Sequence, residues 1–195
     1  ISDAFLELYQ AGKLTNAHKE LDTGLSAWNL AMGSQELYDW LDAEPQLFHP
    51  GDLDYIHSVE RISKFSNVIS INGGVQLDLM GQENAESTGT RQLSGVGGQM
   101  DFLEGAYRSK GGKGFICINS SRVTKDGERK SNILATIPGG STISAPRTMI
   151  QYVATEYGIA SLSGKTLRER AEAMASIAHP DFREELMKYA QENFK

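Results

Sequence analysis

The sequence predicts an α/β domain in which a mixed or parallel sheet is layered with helices. Short apolar runs such as Gly114-Phe115-Ile116-Cys117-Ile118 read as buried strands. Segments with helix-start signals alternate with them: Thr166 and Glu169 have the spacing of a capping box, and Pro180 stands where a first-turn proline belongs. Strands interleaved with helices are the signature of a layered α/β domain.

Taken in order, Ser2 reads as an N-cap with Asp3 in the first turn of a helix, Ala4 to Gln10, that stops at Gly12. A chain that opens inside a cap is expected to be a piece of a longer one. Leu25 to Met32 alternates as a buried strand, and Gly33-Ser34 then starts a helix through Leu37, Tyr38 and Leu41. Pro45 to Pro50 is expected to be a loop. Val68 to Asn72 and Val75 to Met80 read as neighbouring strands joined by Gly73-Gly74, a hairpin signal that puts Asn72 at a strand end. A glycine-rich turn, a helix and the Gly114–Ile118 strand follow. Residues 119–131 are polar and charged, which predicts a mobile loop. Ile133–Ile137 and Met149–Ala154 are further strands around the turn Pro138-Gly139-Gly140, and two helices, Thr166 to Ile177 and Pro180 to about Phe194, close the chain.

Composition narrows the classes. A 39% apolar share with periodic apolar segments excludes a disordered or fibrous chain, and 195 residues suffice for one well-cored domain or half of a two-domain enzyme. No apolar run is long enough to span a membrane. The net charge of −6 argues against nucleic-acid binding. One cysteine, Cys117, in an apolar strand is expected to be an inert core thiol; with no signal-peptide pattern at the start, a reducing, cytoplasmic location is expected. The charge is uneven: residues 91–130 carry eight Lys/Arg against four Asp/Glu. A basic island in an acidic chain suits a small polyanion, or is an ordinary solvated surface.

The stretch richest in chemistry is Gly95-Val96-Gly97-Gly98-Gln99, which runs into a helical pattern ending near Ser109–Lys113. Seven glycines lie between residues 94 and 114, so backbone N–H groups can approach and hold an anion or oxyanion there. Alone, a Gly-x-Gly-Gly is equally a tight connection into a helix. Other signals fail. Gly158…Gly164-Lys165-Thr166 has the wrong glycine spacing for a phosphate-binding loop and reads as a loop and helix cap. His18, His49, His57 and His179 have no metal-ligand spacing, so no metal site is expected, and Asn119-Ser120-Ser121 is a glycosylation sequon without meaning in a reducing compartment.

The glycine turn gains weight from its company. Asn72, Gly81-Gln82-Glu83-Asn84-Ala85-Glu86-Ser87, Ser94 to Phe102, Ser109–Lys113, Glu156-Tyr157-Gly158, Leu167-Arg168-Glu169-Arg170-Ala171 and Ile177-Ala178-His179-Pro180 resemble, in order and spacing, the acetyl-CoA hydrolase/CoA-transferase family, most of all its 4-hydroxybutyrate and butyrate CoA-transferases. The resemblance covers nearly the whole chain and matches the family's C-terminal half. It implies a ribose-5-phosphate-isomerase-like CoA-transferase fold, with residues 1–195 as the C-terminal domain. The implied reaction moves coenzyme A between short-chain acids (4-hydroxybutyrate, butyrate, acetate) through a glutamyl-CoA thioester. Acyl-CoA and carboxylates would be substrates, with no tightly bound cofactor, and the enzyme would be a homo-oligomer.

On this resemblance Gly97 and Gly98 would hold the tetrahedral oxyanion, with Gln99 a polar neighbour on the CoA side. Asn72 would donate to the thioester or the CoA arm. Arg108, Lys110 and Lys113 would meet CoA phosphates. Glu156, after an apolar strand, matches an active-site glutamate that helps order the CoA complex, or is a strand-end ion pair. Glu83 and Glu86 are placed in a hairpin turn, Glu86 with a structural or substrate-contacting role. The family's nucleophilic glutamate and N-terminal domain lie ahead of this sequence, so the isolated chain is expected to be inactive. Two rivals remain: acyl-CoA hydrolysis, and a CoA- or nucleotide-binding module without chemistry of its own.

Overall fold

The computed structural model describes residues 1–194. The first third holds α1 (Asp3–Gln10), β1 (Ser26–Trp28), α2 (Gln35–Ala43), β2 (Phe48–Pro50), α3 (Leu53–Ile56) and α4 (Val59–Ser63). Leu6, Leu37, Trp40 and Phe48 form a small cluster of their own, with Trp40 edge-on to Phe48 at 4.9 Å. Ser34 caps α2 through Leu37 N–H, and Asp3 in turn accepts from the Ser34 backbone and hydroxyl, clasping α1 to α2. The strand expected over Leu25–Met32 is only three residues long, because its partner is the three-residue β2, to which it runs parallel. That partner lies within Pro45–Pro50, expected as a loop.

There follow β3 (Ile69–Gly73), β4 (Gln76–Asp78), β5 (Glu83–Asn84), β6 (Ser87–Thr88), β7 (Arg91–Gln92), α5 (Gln99–Arg108), β8 (Lys113–Cys117), β9 (Ser121–Val123), β10 (Arg129–Ser131), β11 (Ile133–Leu134), β12 (Tyr152–Thr155), β13 (Gly158–Ser161), α6 (Leu167–Ser176) and α7 (Pro180–Asn193). The largest sheet has the order β13-β12-β8-β3, with β3, β8 and β12 parallel and β13 antiparallel at one edge. A second sheet, β11-β4-β5, shares its core: Leu77, Leu79, Ile116, Ile133, Val153, Leu162 and Met174 are all buried in one cluster.

The hairpin expected at Gly73-Gly74 does not form. β3 pairs with β8, whereas β4 leaves for the second sheet, because the chain turns inward after Gly74 and Val75 N–H bonds to the Asn84 carbonyl. Residues 119–131, expected as a loop, contain the antiparallel pair β9/β10, closed by Thr124 and Glu128. Of Ile133–Ile137 only the first two residues pair, and the later strand runs from Tyr152 to Thr155 and turns straight back as β13, which the loop reading of Gly158 onwards missed. The terminal helices follow their caps: Thr166 and Glu169 form the full capping box, and α7 starts at Pro180.

Register divides the main sheet into two faces. Ser70 with Gly114, and Asn72 with Ile116, Val153 and Ala160, make the covered face. Ile71, Phe115 and Tyr152 line up on the other, as do Gly73, Cys117, Ala154 and Ile159; there Ile71 is 70% and Ile159 63% exposed. Cys117 is therefore exposed and not the core thiol expected. The apolar run Gly114–Ile118 reads as a buried strand, but only one of its two faces is covered here, and Cys117 lies on the other.

Candidate functional site

α5 is the crossover between the parallel strands β3 and β8, so it runs back against them and its N-terminus stands at their carboxyl ends. Leu103 packs where Gly114 has no side chain, a Cβ there meeting Leu103 Cδ2 at 2.9 Å. Four residues earlier on the helix is about 6 Å, and one further row of the sheet is about 6.6 Å, which brings Gln99 towards the row that carries Asn72.

Gly97 is exposed with a φ of +60°, and no atom stands within 4 Å of where its side chain would be. Gly98 is the N-cap of α5 and has no side chain with which to cap it. The first-turn amides are thus left to solvent or a ligand, at the positive end of the helix dipole. Both glycines line an open cleft of about 540 Å³ with Leu53, Asp54, His57, Ser58 and Asp101. A Cβ on Gly98 would land on the His57 imidazole. That ring is held by Asn29 at 3.1 Å, lies 3.5 Å from the Asp101 carboxylate and meets Phe102 edge-on at 5.1 Å. Sequence reasoning set His57 aside for want of metal spacing. The signal available was the glycine itself, whose missing side chain makes room for a ring.

The next residue, Gln99, donates through Nε2 to Oε2 of Glu83. Glu83 is not in a hairpin turn, as expected, but fully buried in β5, with Oε1 2.7 Å from where a Gly74 side chain would be. Burial pushes its pKa up to about 7, with the Gln99 bond pulling the other way. Glu86 accepts from Ser144 Oγ at 2.8 Å and Gln92 Nε2 at 3.2 Å, a buried structural tie. The turn between them is made by Asn84, whose Oδ1 accepts from the Glu86 and Ser87 backbones.

Asn72 lies at the β3 end and donates to Ser70 Oγ at 2.8 Å, leaving its second amide hydrogen free. Beside it a cleft of about 440 Å³ opens at the carboxyl ends of the parallel strands, lined by Gly74, Cys117, Ile118, Asn119, Ala154 and Thr155. Glu156 follows Thr155 at the same edge, and its carboxylate accepts from Ser120 N at 2.9 Å and Ser120 Oγ at 2.6 Å. Partial desolvation raises its pKa, but the two Ser120 bonds and the nearby His179 outweigh this and hold it below the usual range. Asn72, Gln99 and Glu156 thus gather at one edge of the sheet, where ligands of open α/β sheets bind. Arg108, Lys110 and Lys113 do not. Arg108 ends α5, a helix length of about 15 Å from Gly98, and pairs with Glu104, while Lys113 begins β8 at the opposite edge.

The profile of the acetyl-CoA hydrolase/transferase C-terminal domain matches residues 33–190. The chain belongs to the acetyl-CoA hydrolase/CoA-transferase family. It is 43% identical to the butyryl-CoA:acetate CoA-transferase of Anaerostipes caccae over 97% of its length and 44% identical to the 4-hydroxybutyrate coenzyme A transferase of Clostridium kluyveri over 100%, and covers 42% and 44% of those proteins. The crystal structure of RipA from Yersinia pestis superposes with a TM-score of 0.88 at 38% identity, over 98% of this chain and 42% of that one. A relative named acetyl-CoA hydrolase, from Kluyveromyces lactis, stands at 28%. The chain has the CoA-transferase fold and spans less than half the length of the family members it matches. Among the described residues no helix is long and apolar enough to cross a membrane.

Proposed function

We propose that this chain is the C-terminal domain of a CoA-transferase that moves coenzyme A between short-chain carboxylic acids, and that it supplies the oxyanion turn of that enzyme. The observation that carries the reading is the glycine turn that opens α5: Gly97 and the uncapped N-cap Gly98 line an open cleft with His57 and Asp101, at a helix N-terminus that stands at the carboxyl ends of β3 and β8. The higher identity to relatives named transferases than to one named hydrolase favours transfer to an acid over transfer to water.

In this reading a glutamate outside the present sequence attacks the acyl-CoA thioester carbonyl. The carbonyl π electrons move onto oxygen, and the amides of Gly97 and Gly98 receive the charge without reorganising, with Gln99 a polar neighbour. Collapse expels the CoA thiolate and leaves an acyl-glutamyl anhydride. The thiolate then attacks the glutamyl carbonyl of the anhydride, releasing the first acid and leaving a glutamyl-CoA thioester that a second carboxylate attacks in the reverse sense. The free Asn72 amide hydrogen points this residue to the thioester or the CoA arm, and Glu156, kept ionised by Ser120, orders the edge of the CoA site. Arg108, Lys110 and Lys113 are left out, since the glycine turn lies a helix length away. A cytoplasmic homo-oligomer with the remaining domain on the same chain fits the family assignment.

The test is to express the 195 residues alone and joined to a family N-terminal half, and to follow CoA exchange between acetyl-CoA and butyrate. Exchange only by the joined protein is expected. Exchange by the chain alone, or release of free CoA that added butyrate does not alter, would overturn the reading.

A further inference from the structure

Glu83 is a fully buried carboxyl group to which the oxyanion reading assigns no work. Its Oε2 accepts from Gln99 Nε2, while Oε1 is buried without any hydrogen-bond partner. On that side stand Gly74 and the methyl groups of Ile116 and Ile118, which share the space a Gly74 side chain would fill. We propose that Glu83 is a positioning residue that couples the first turn of α5 to the end of β3, through Gln99 on one carboxyl oxygen and Gly74 on the other.

The coupling works while Glu83 is a neutral acid. A carboxylate here would face one amide and an apolar wall, and the charged groups around it are committed elsewhere. On β4, Asp78 accepts from Gln82 N–H and Nε2; beyond β5, Glu86 is tied to Ser144 and Gln92. On α5, Asp101 faces His57, and the guanidinium of Arg147, in the loop after the Glu83–Ala145 bridge, lies on the Met80 sulfur. Among the described residues no cation is in ion-pair contact with Glu83. With its pKa raised by burial to about 7, the group changes state across neutrality. Once ionised it must draw in water or give up its packing. Either shifts the turn to which Gln99 ties it, although the Gln99 bond itself favours the charged form, and the new negative charge opposes an oxyanion held by the neighbouring amides.

The consequence for turnover rests on the transferase reading, but the coupling does not, so two measurements separate them. In the chain labelled with ¹³C at glutamate side-chain carboxyls, the Glu83 signal, identified by its loss in Glu83→Gln, should titrate near neutrality. The amide signals of Gly98 and Gln99 should move with the same midpoint. Glu83→Gln should abolish the shift of the Gln99 amide. Titration of Glu83 near pH 4.5, or a Gln99 amide that ignores it, would overturn the proposal on the unsubstituted chain, whether or not the variant folds. In the complete enzyme, kcat should fall by about tenfold from roughly pH 6 to pH 8 with KM for acyl-CoA little changed, and Glu83→Gln should flatten the profile. A pH-independent kcat in the unsubstituted enzyme would also count against the coupling. Absence of transfer at every pH would instead sink the functional reading, and the titration would still decide the role of Glu83.

Discussion

Replacing Gly98 with alanine in the complete enzyme separates the catalytic role of the α5 turn from its structural one. The added methyl would collide with Cε1 and Nδ1 of His57, and that ring cannot swing away without losing Asn29 at 3.1 Å and its edge contact with Phe102 at 5.1 Å. The turn therefore has to move. Overpacking of this kind costs about 1–3 kcal/mol, which for a domain of this size lowers Tm by roughly 2–12 °C. If the Gly98 amide is an oxyanion donor, its displacement removes about 3–4 kcal/mol of barrier lowering, or roughly 10² to 10³ in kcat. CoA affinity should change far less, because contacts made equally in ground and transition states lie elsewhere on the cofactor. The assay is a thermal melt, turnover with saturating acyl-CoA, and CoA binding by calorimetry. The double substitution Gly98→Ala with His57→Ala makes room for the methyl and should recover Tm and part of kcat. A folded Gly98→Ala enzyme whose kcat stays within about threefold of the parent would refute the oxyanion assignment.

Asp22 accepts from His49, Tyr55 and Arg61, and despite the opposing effect of burial these bonds bring its pKa down to about 2. A depressed carboxylate contributes stability that is complete above pH 4 and lost as pH falls towards 2. Asp22→Asn should therefore cost about 2 kcal/mol at neutral pH and flatten that acid limb in urea melts. Glu83 has the opposite sign. Its raised pKa means that folding stability falls as pH rises from about 4.5 to 7, and Glu83→Gln should relieve up to about 3 kcal/mol of this at pH 8, read from melts across pH. Arg170 donates to the carbonyls of Met80, Leu162 and Arg147, tying α6 to three separate segments. Arg170→Ala would strand those carbonyls and should cost about 3 kcal/mol or more by urea denaturation, with lysine, a single point donor, recovering only part.

What was legible in the sequence was local. A capping box, a proline at a first turn and a glycine run before an amphipathic segment act within a few residues, and α6, α7 and α5 stand where those signals put them. Strand pairing is set by residues far apart in sequence, and there the local signal misled. Gly73-Gly74 has hairpin chemistry, yet β3 finds its partner some forty residues on in β8, because burying Ser70 on the covered face of the main sheet and Leu77 in the shared core sends the two strands to different sheets. The same limit hid the short helices α3 and α4, which have few residues over which a period can show.

The site follows the same division. The glycine turn could be read from composition, but its neighbours could not: His57 comes from the end of α3, Glu83 from the second sheet and Ser120 from the loop after β8. What collects them is topology. A crossover helix between parallel strands must begin at their carboxyl ends, so any glycine turn at its start is delivered to the edge where β3, β8 and β12 all terminate. The basic trio shows the same rule from the other side. Arg108 and Lys113 flank the return from helix to strand, so the connection that brings Gly98 to the site carries them to the opposite edge, however close to the turn they stand in sequence.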